Sequence, residues 1–258
     1  MYYPITIPDI LVDSYDDYIS YKETIIPTLK DFVICFWETQ PVIQENKEIS
    51  HIILFDGGID LVVDYDNQEI YYAGMSKTVF DLTFHNTNRH FGVRLKPGAF
   101  HQLTGFSAKR AMDVLLPIHE TDSTFDEEYL FSKTFEEAKI HMKNYLENLT
   151  EGKTPNKFVK LFDDFYLSPP DHTKTLSEHF FLSARQLQRA FAKNFGLTPK
   201  IILSVLRFQK CLTILSAKDA RPVDVLNAIN YYDQTHFIKD FKKHIGFTPL
   251  ELIKRMQS

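Results

Sequence analysis

One stretch of the chain occurs twice, and that repeat constrains the fold more than any other feature. Ser183 to Pro199 reads SARQLQRAFAKNFGLTP, and fifty residues later Asp233 to Pro249 reads DQTHFIKDFKKHIGFTP in the same register. Ser183 aligns with Asp233, Leu187 with Phe237, Arg189 with Lys239, Phe191 with Phe241 and Lys193 with Lys243. Both copies close on Gly-x-Thr-Pro. Self-similarity at a fixed offset marks a duplicated structural unit.

Each copy specifies a capped helix. Ser183 and Asp233 can accept from the free N–H groups of a first turn, and Ser183 with Gln186 fits a capping box. Gly196 and Gly246 stand where a helix ends on a left-handed residue. Thr198-Pro199 and Thr248-Pro249 then open new helices, with Thr as N-cap and Pro in the first position. Leu187, Phe191 and Phe195 recur every fourth residue as a buried stripe, leaving Arg185, Gln188, Arg189 and Ala192 on the opposite face. In the second copy Phe237, Phe241 and Ile245 are expected inside; Thr235, Ile238, Lys239 and Lys242 are expected outside.

A short amphipathic segment precedes each copy: Thr175 to Phe181 in one case, Val223 to Ile229 in the other. Helix, tight turn and capped helix with a donor-rich outer face make a helix-turn-helix, whose second helix enters the major groove. Between the copies, Pro199 to Ser216 reads as one long helix, apolar on most of its circumference and about 27 Å in length. That spacer sets two recognition helices about one DNA turn apart, roughly 34 Å.

These residues resemble the AraC/XylS-type transcription regulators. The resemblance runs from Lys157 to Met256 and is carried by LSARQLQRAFAKNFGLTPK, LRFQKCLTIL and YYDQTHFIKDFKKHIGFTP. It implies sequence-specific binding of double-stranded DNA. Arg185, Gln188 and Arg189 are then expected to reach bases from the first recognition helix, Arg on guanine and Gln on adenine. Thr235, His236 and Lys239 are expected to do so from the second, with Ile238 against a thymine methyl. Lys193, Lys200, Lys242 and Lys243 are expected on phosphates, which position without specifying. The chain departs from the family at the two inter-helix turns, where Phe181 and Asn230 replace the common Gly, and at Leu226, where Ala is favoured. A bulky Phe adopts the left-handed conformation poorly, so a reshaped first turn is expected.

The net charge of −5 conceals a division. From Lys153 onward 17 Lys and Arg face 9 Asp and Glu, a net of +8; the preceding 152 residues hold 12 against 25, a net of −13. A basic half tied to an acidic one is expected where only one half meets phosphate. Thr150 to Pro155 is the expected hinge, dividing the chain into residues 1–150 and 151–258.

Ile25 to about Phe100 reads as β structure. Asp31–Trp37, His51–Phe55 and Ile59–Tyr65 are rich in β-branched and aromatic residues, with Asp56-Gly57-Gly58 expected as a hairpin turn between the last two. Glu69–Ala73, Thr78–His85 and His90–Leu95 continue the pattern, which suggests a small barrel or sandwich. Helical segments are expected at 100–104, 107–111 and, twice, within 125–149. This half resembles the cupin-like sensor domain of some AraC/XylS-type regulators through CFWE, FDGGIDLVVDY and FGVRLKPGAF. The expected class is therefore α+β: a cupin-like N-terminal barrel or sandwich with flanking helices, and an all-α domain of two helix-turn-helix units on a long linker helix.

The resemblance implies a domain that senses a small molecule, dimerises, or both, with RNA polymerase a partner if the chain is an activator. Trp37, Tyr72 and Arg94 are the candidate effector-pocket residues, although Arg94 could equally pair Asp60 or Asp64. His51, His85, His90 and His101 are scattered without a His-x-His pair, so no metal is expected, nor any other cofactor. No phosphate loop or nucleophile elbow supports an enzyme. No apolar run is long enough to span a membrane, and Cys35 and Cys211 suit a reducing compartment; a cytoplasmic, nucleoid-associated protein is expected. The rival reading is a ligand-binding cupin-like protein whose helical half contacts other proteins.

Overall fold

The N-terminal half is built on one antiparallel sheet. The structure, a computed structural model, describes residues 2–5, 15–43, 48–53, 56–74, 80–85, 87–216, 221, 224–225 and 234–257. After a short helix α1 (Tyr15–Tyr18) come strands β1 (Ile19–Thr24), β2 (Val33–Pro41), β3 (Glu48–Ile53), β4 (Ile59–Asp64), β5 (Glu69–Ala73), β6 (Phe80–His85), β7 (His90–Leu95) and β8 (Leu115–Pro117). The main sheet runs β1-β2-β7-β4-β5-β8, and β3 and β6 make a second, two-stranded sheet. The hairpin expected across Asp56-Gly57-Gly58 is not formed, because β3 pairs with β6 while β4 pairs with β5 and β7. Those residues instead link the two sheets. The Asp56 side chain accepts from the Gly58 N–H at 2.8 Å, and Gly57 takes φ 85 in a site walled by Phe162 and Pro97.

Strand alternation gives the main sheet two different faces. Phe36, Leu61, Val63, Tyr72, Phe91 and Val93 are buried on one. Packed on them are α2 (Ala99–Thr104) and α4 (Phe135–Thr150), which contribute Phe100, Leu103, Met142 and Leu146 to the same core. Thr134 caps α4 with a complete capping box through Glu137. A short α3 (Glu127–Phe131) precedes it. On the other face, register aligns Cys35 with Arg94 and Arg94 with Asp60, and aligns Trp37 with Gly92.

The C-terminal half is helical: α5 (Lys157–Phe165), α6 (Thr173–Phe180), α7 (Ala184–Phe195), α8 (Pro199–Leu215), α9 (Gln234–Ile245) and α10 (Pro249–Gln257). The linker α8 is the hub. Ile202, Leu203, Val205, Leu206, Phe208, Cys211, Leu212 and Leu215 are all buried along it, so it is enclosed on several sides as its sequence predicts. Each such side chain contributes roughly 1.5–3 kcal/mol by leaving water.

The two halves meet over a mixed interface. Tyr2 is buried between them: its ring lies 4.9 Å from that of Phe162, its backbone N–H donates to Asp163, and its hydroxyl donates to the Asp56 carbonyl at 2.6 Å. Lys96 pairs with Asp163 at 2.9 Å. Gln102 donates to the Thr154 carbonyl and accepts from the Asn156 N–H, which ties α2 to the start of α5.

Candidate nucleic-acid interface

The first helix-turn-helix follows from local chemistry. Leu176 and Phe180 bury the inner face of α6, and Leu187, Phe191 and Phe195 bury that of α7. Phe191 is enclosed by the rings of Phe158, Phe180 and Phe195. Ser183 caps α7 with the expected box: its hydroxyl accepts from the Gln186 N–H, and Gln186 Oε1 accepts from the Ser183 N–H at 2.9 Å. Gly196 ends the helix at φ 74 and donates to the Ala192 carbonyl at 3.2 Å.

With that stripe buried, Arg185, Gln188 and Arg189 are all exposed on one outward face, Lys193 is exposed in the last turn, and Lys200 is exposed in the first turn of α8. Two Arg side chains and one Gln on an exposed helical face supply the donor geometry that reads guanine and adenine edges. The back of α7 is occupied: Ser107 Oγ lies 3.4 Å from the Ala192 carbonyl, and Gly196 packs against Met112 and Ala108. The β half thus holds the first recognition helix from behind and leaves its donor face open.

The expected reshaping of the first turn does not occur. Phe181 takes φ 55, ψ 42, the left-handed conformation a Gly would occupy freely, and its N–H donates to the Glu178 carbonyl at 3.2 Å. A non-Gly residue held there costs about 1–2 kcal/mol. The neighbours impose it, since Phe180 is buried on one side and Ser183 is fixed by its cap on the other.

In the second unit, Phe241 and Ile245 are buried as the repeat predicts, and Phe241 meets Phe208 of the linker at 5.4 Å. Thr235, Lys239 and Lys242 are exposed. Ile238 is half-buried and packs against the helical core, so its expected outward place is corrected. His236 and Lys243 belong to α9, with side chains outside the described residues, as is that of Phe237. Leu226, Asn230, the cap Asp233 and nearly all of the preceding segment also lie outside them. Thr248 opens α10, and its N–H donates to Glu251 Oε2 at 2.7 Å, a box the sequence reading did not anticipate.

The three candidate effector residues are not brought together. Trp37 and Arg94 share a face, where Trp37 Nε1 donates to Asp60 at 2.9 Å and the indole lies on Gly92. Tyr72 is buried on the opposite face, edge-on to Phe100 at 4.9 Å. Its neighbour Tyr71 lies on the Arg94 side, as the register of β5 on β4 requires. Arg94 is paired with Glu23, Asp56 and Asp60 at 3.2–3.4 Å. One guanidinium cannot neutralise three carboxylates. Burial, with Asp60 adding to it, raises Asp56 to about 6 against the pull of Arg94. Burial likewise pushes the Cys35 thiol up to about 12, so it stays protonated. His90 pairs with Asp64 at 3.3 Å, His101 lies 2.8 Å from the Phe106 carbonyl, and no group of three or more His, Cys, Asp or Glu with metal-holding geometry occurs among the described residues. No described helix is long and apolar enough to cross a membrane.

A family model covers the helix-turn-helix described above. Residues 176–255 match a family described as a helix-turn-helix domain, and residues 26–117 match a domain of unknown function (DUF6597). The HTH-type transcriptional activator RhaS of Enterobacter sp. (strain 638) is 30% identical over 79 residues, which is 31% of this chain. The match spans 28% of that curated relative. Among solved structures, the C-terminal domain of the two-component response regulator YesN from Fusobacterium nucleatum is 26% identical, covers 36% of this chain and 91% of its own, and has a TM-score of 0.33. ToxT from Vibrio cholerae is 8% identical, covers 93% of this chain and 100% of its own, and has a TM-score of 0.43. With α7 and α9 in place on a shared linker, residues 176–255 form a helix-turn-helix domain.

Proposed function

We propose that this chain is a sequence-specific DNA-binding regulator of transcription whose two recognition helices, α7 and α9, read successive major grooves. The observation that carries the reading is the exposed face of Arg185, Gln188 and Arg189 on a helix whose cap, buried stripe and C-terminal Gly are all in place. Arg185, Gln188 and Arg189 read bases from α7; Thr235, His236 and Lys239 read them from α9. Lys193, Lys200, Lys242 and Lys243 hold phosphates. The boundary lies near residue 150, with 1–150 as the sensor or dimerisation half and 151–258 as the DNA-binding half, no catalytic role in either, and a place beside the DNA in the cytoplasm.

The N-terminal half supplies control. Its Arg94 face, with Trp37 and Tyr71, has the mixture of aromatic and charged groups an effector site needs, and Tyr72 on the far face is left to the core. A relative named as a transcriptional activator supports a role in activation; RNA polymerase as partner and a homodimer as the working form belong to the same proposal. The test is selection of random duplex DNA on the full-length chain, followed by titration at two salt concentrations. Enrichment of two motifs about one turn apart, bound with steeply salt-dependent affinity, is the expected result. Weak binding without enrichment would refute it.

A further inference from the structure

The exposed ring of Phe181 has no role in the fold described so far. It is 85% exposed, occupies a left-handed site that suits Gly, and stands two residues ahead of the cap of the first recognition helix. Burial therefore contributes little to keeping a large aromatic there, and the backbone conformation opposes it. Above the ring sits a cation: Lys157 Nζ lies 4.9 Å from its centroid and donates to the His179 carbonyl at 3.4 Å. Among the described residues Lys157 has no ion pair. The backbone on both sides is fixed from beneath, because the next residue, Phe158, stacks on Phe180 at 4.6 Å and 16°. One cation and one apolar ring are thus displayed side by side on a rigid base.

We propose that Lys157 and Phe181 form an additional contact to the sugar–phosphate backbone of duplex DNA, flanking the groove that α7 enters; this rests on the DNA-binding reading above. When a helix-turn-helix docks, its first helix crosses the backbone and the N-terminus of its second enters the groove. The turn between them therefore lies along the groove's rim. Phosphate and deoxyribose alternate there, and an ammonium beside a ring matches that alternation: Lys157 neutralises a phosphate while Phe181 lies on the C–H face of the adjacent sugar. Contacts of this kind fix register and add affinity on every sequence equally. The basic balance of this half calls for a polyanionic occupant, and the place of both residues beside the turn of a helix-turn-helix makes that occupant DNA.

The test uses the full-length chain with Phe181→Gly, Phe181→Asn and Lys157→Gln. Each is titrated against the duplex enriched from random DNA and against a scrambled duplex, at two salt concentrations, with thermal unfolding recorded in parallel. Gly and Asn both accept the left-handed site, so both variants should unfold at or above the temperature of the unaltered chain. Both should nevertheless bind the two duplexes roughly fivefold more weakly, about 1 kcal/mol. Lys157→Gln should reduce the slope of log K against log salt by about 0.9. Unchanged affinity in the two Phe181 variants would overturn the proposal and leave only a strained turn. A loss confined to the enriched duplex would also overturn it, since a backbone contact carries no sequence preference. If the unaltered chain binds neither duplex, the DNA-binding reading itself fails, and this is seen before any variant is compared.

Discussion

The two copies of the repeat have nearly the same helical specification and different surroundings. Copy one, α7, is buttressed by three aromatic neighbours around Phe191 and backed by the β half through Ser107, Ala108 and Met112. Copy two, α9, meets the linker through Phe241 and Phe208. Equal sequence therefore does not mean equal anchorage. The first helix is held against the sensor half; among the described residues the second meets the linker and the helical core.

The largest test of that difference is truncation of the equivalent core residues. Phe191→Ala should cost about 3–5 kcal/mol in chemical denaturation, since a fully enclosed ring leaves a cavity its neighbours cannot fill. Because Phe191 packs on Phe195, Phe195 on Phe162 and Phe162 on Tyr2 at the junction of the halves, its loss should also loosen the halves, seen as faster proteolysis near residues 150–155. Phe241→Ala should destabilise the C-terminal end without that effect. Equal proteolysis in both variants would break the comparison.

The buried charges beneath Tyr2 sharpen the same point. Asp56 has a raised folded value of about 6, above that of an unfolded carboxyl, so the fold favours its protonated form. That contribution is fully present below about pH 4 and is lost as the pH rises through 6, by up to about 3 kcal/mol for a shift of roughly two units. Asp56→Asn should remove this decline while leaving the hydrogen bond from Tyr2, which is to the backbone carbonyl. Unfolding free energies measured from pH 4 to 7 would show it. An unchanged profile would mean that Arg94 satisfies all three carboxylates.

Legibility in the sequence followed the range of the interactions. Caps, terminal glycines and fourth-residue stripes act within one turn, and Ser183, Gln186, Gly196, Leu187 and Phe191 behave as read. Pairing of β3 with β6 joins residues some thirty positions apart, and the local signal at Asp56-Gly57-Gly58 pointed to the wrong partner for β3. Alternation separates Tyr71 from Tyr72 but does not say which of them shares a face with Trp37 and Arg94, because that depends on a register set by β4. Phe181 shows the opposite failure: its own preference was read correctly, and Phe180 and Ser183 override it. The docking of Met112 and Ala108 behind α7 left no local mark.

On DNA the two copies should separate by residue type. Arg189→Ala should weaken the enriched site by about 1–3 kcal/mol and relax one base position, because a bidentate contact to guanine is lost. Lys239→Ala, at the same repeat position, replaces a single ammonium and should cost less and relax specificity less. Selection repeated on each variant would measure both. Equal weakening on random duplex would remove Arg189 from the base-reading set.

The smallest test uses the terminal glycines, which share a conformation and differ in what surrounds them. Gly196 has φ 74 and Gly246 has φ 82, so an alanine is strained by about 1 kcal/mol at either. Among the described residues a Cβ on Gly246 meets nothing within 4 Å, whereas one on Gly196 would sit 2.6 Å from Met112 Cγ and 3.2 Å from the Ala108 carbonyl. Met112 is flexible and can move aside at some loss of packing; the carbonyl cannot. Gly196→Ala should therefore cost about 2 kcal/mol against about 1 for Gly246→Ala. The excess belongs to the contact between α7 and the β half. Adding Met112→Ala to Gly196→Ala should recover the part due to Met112, whereas a double variant no better than additive would mean that Met112 does not back the end of the first recognition helix.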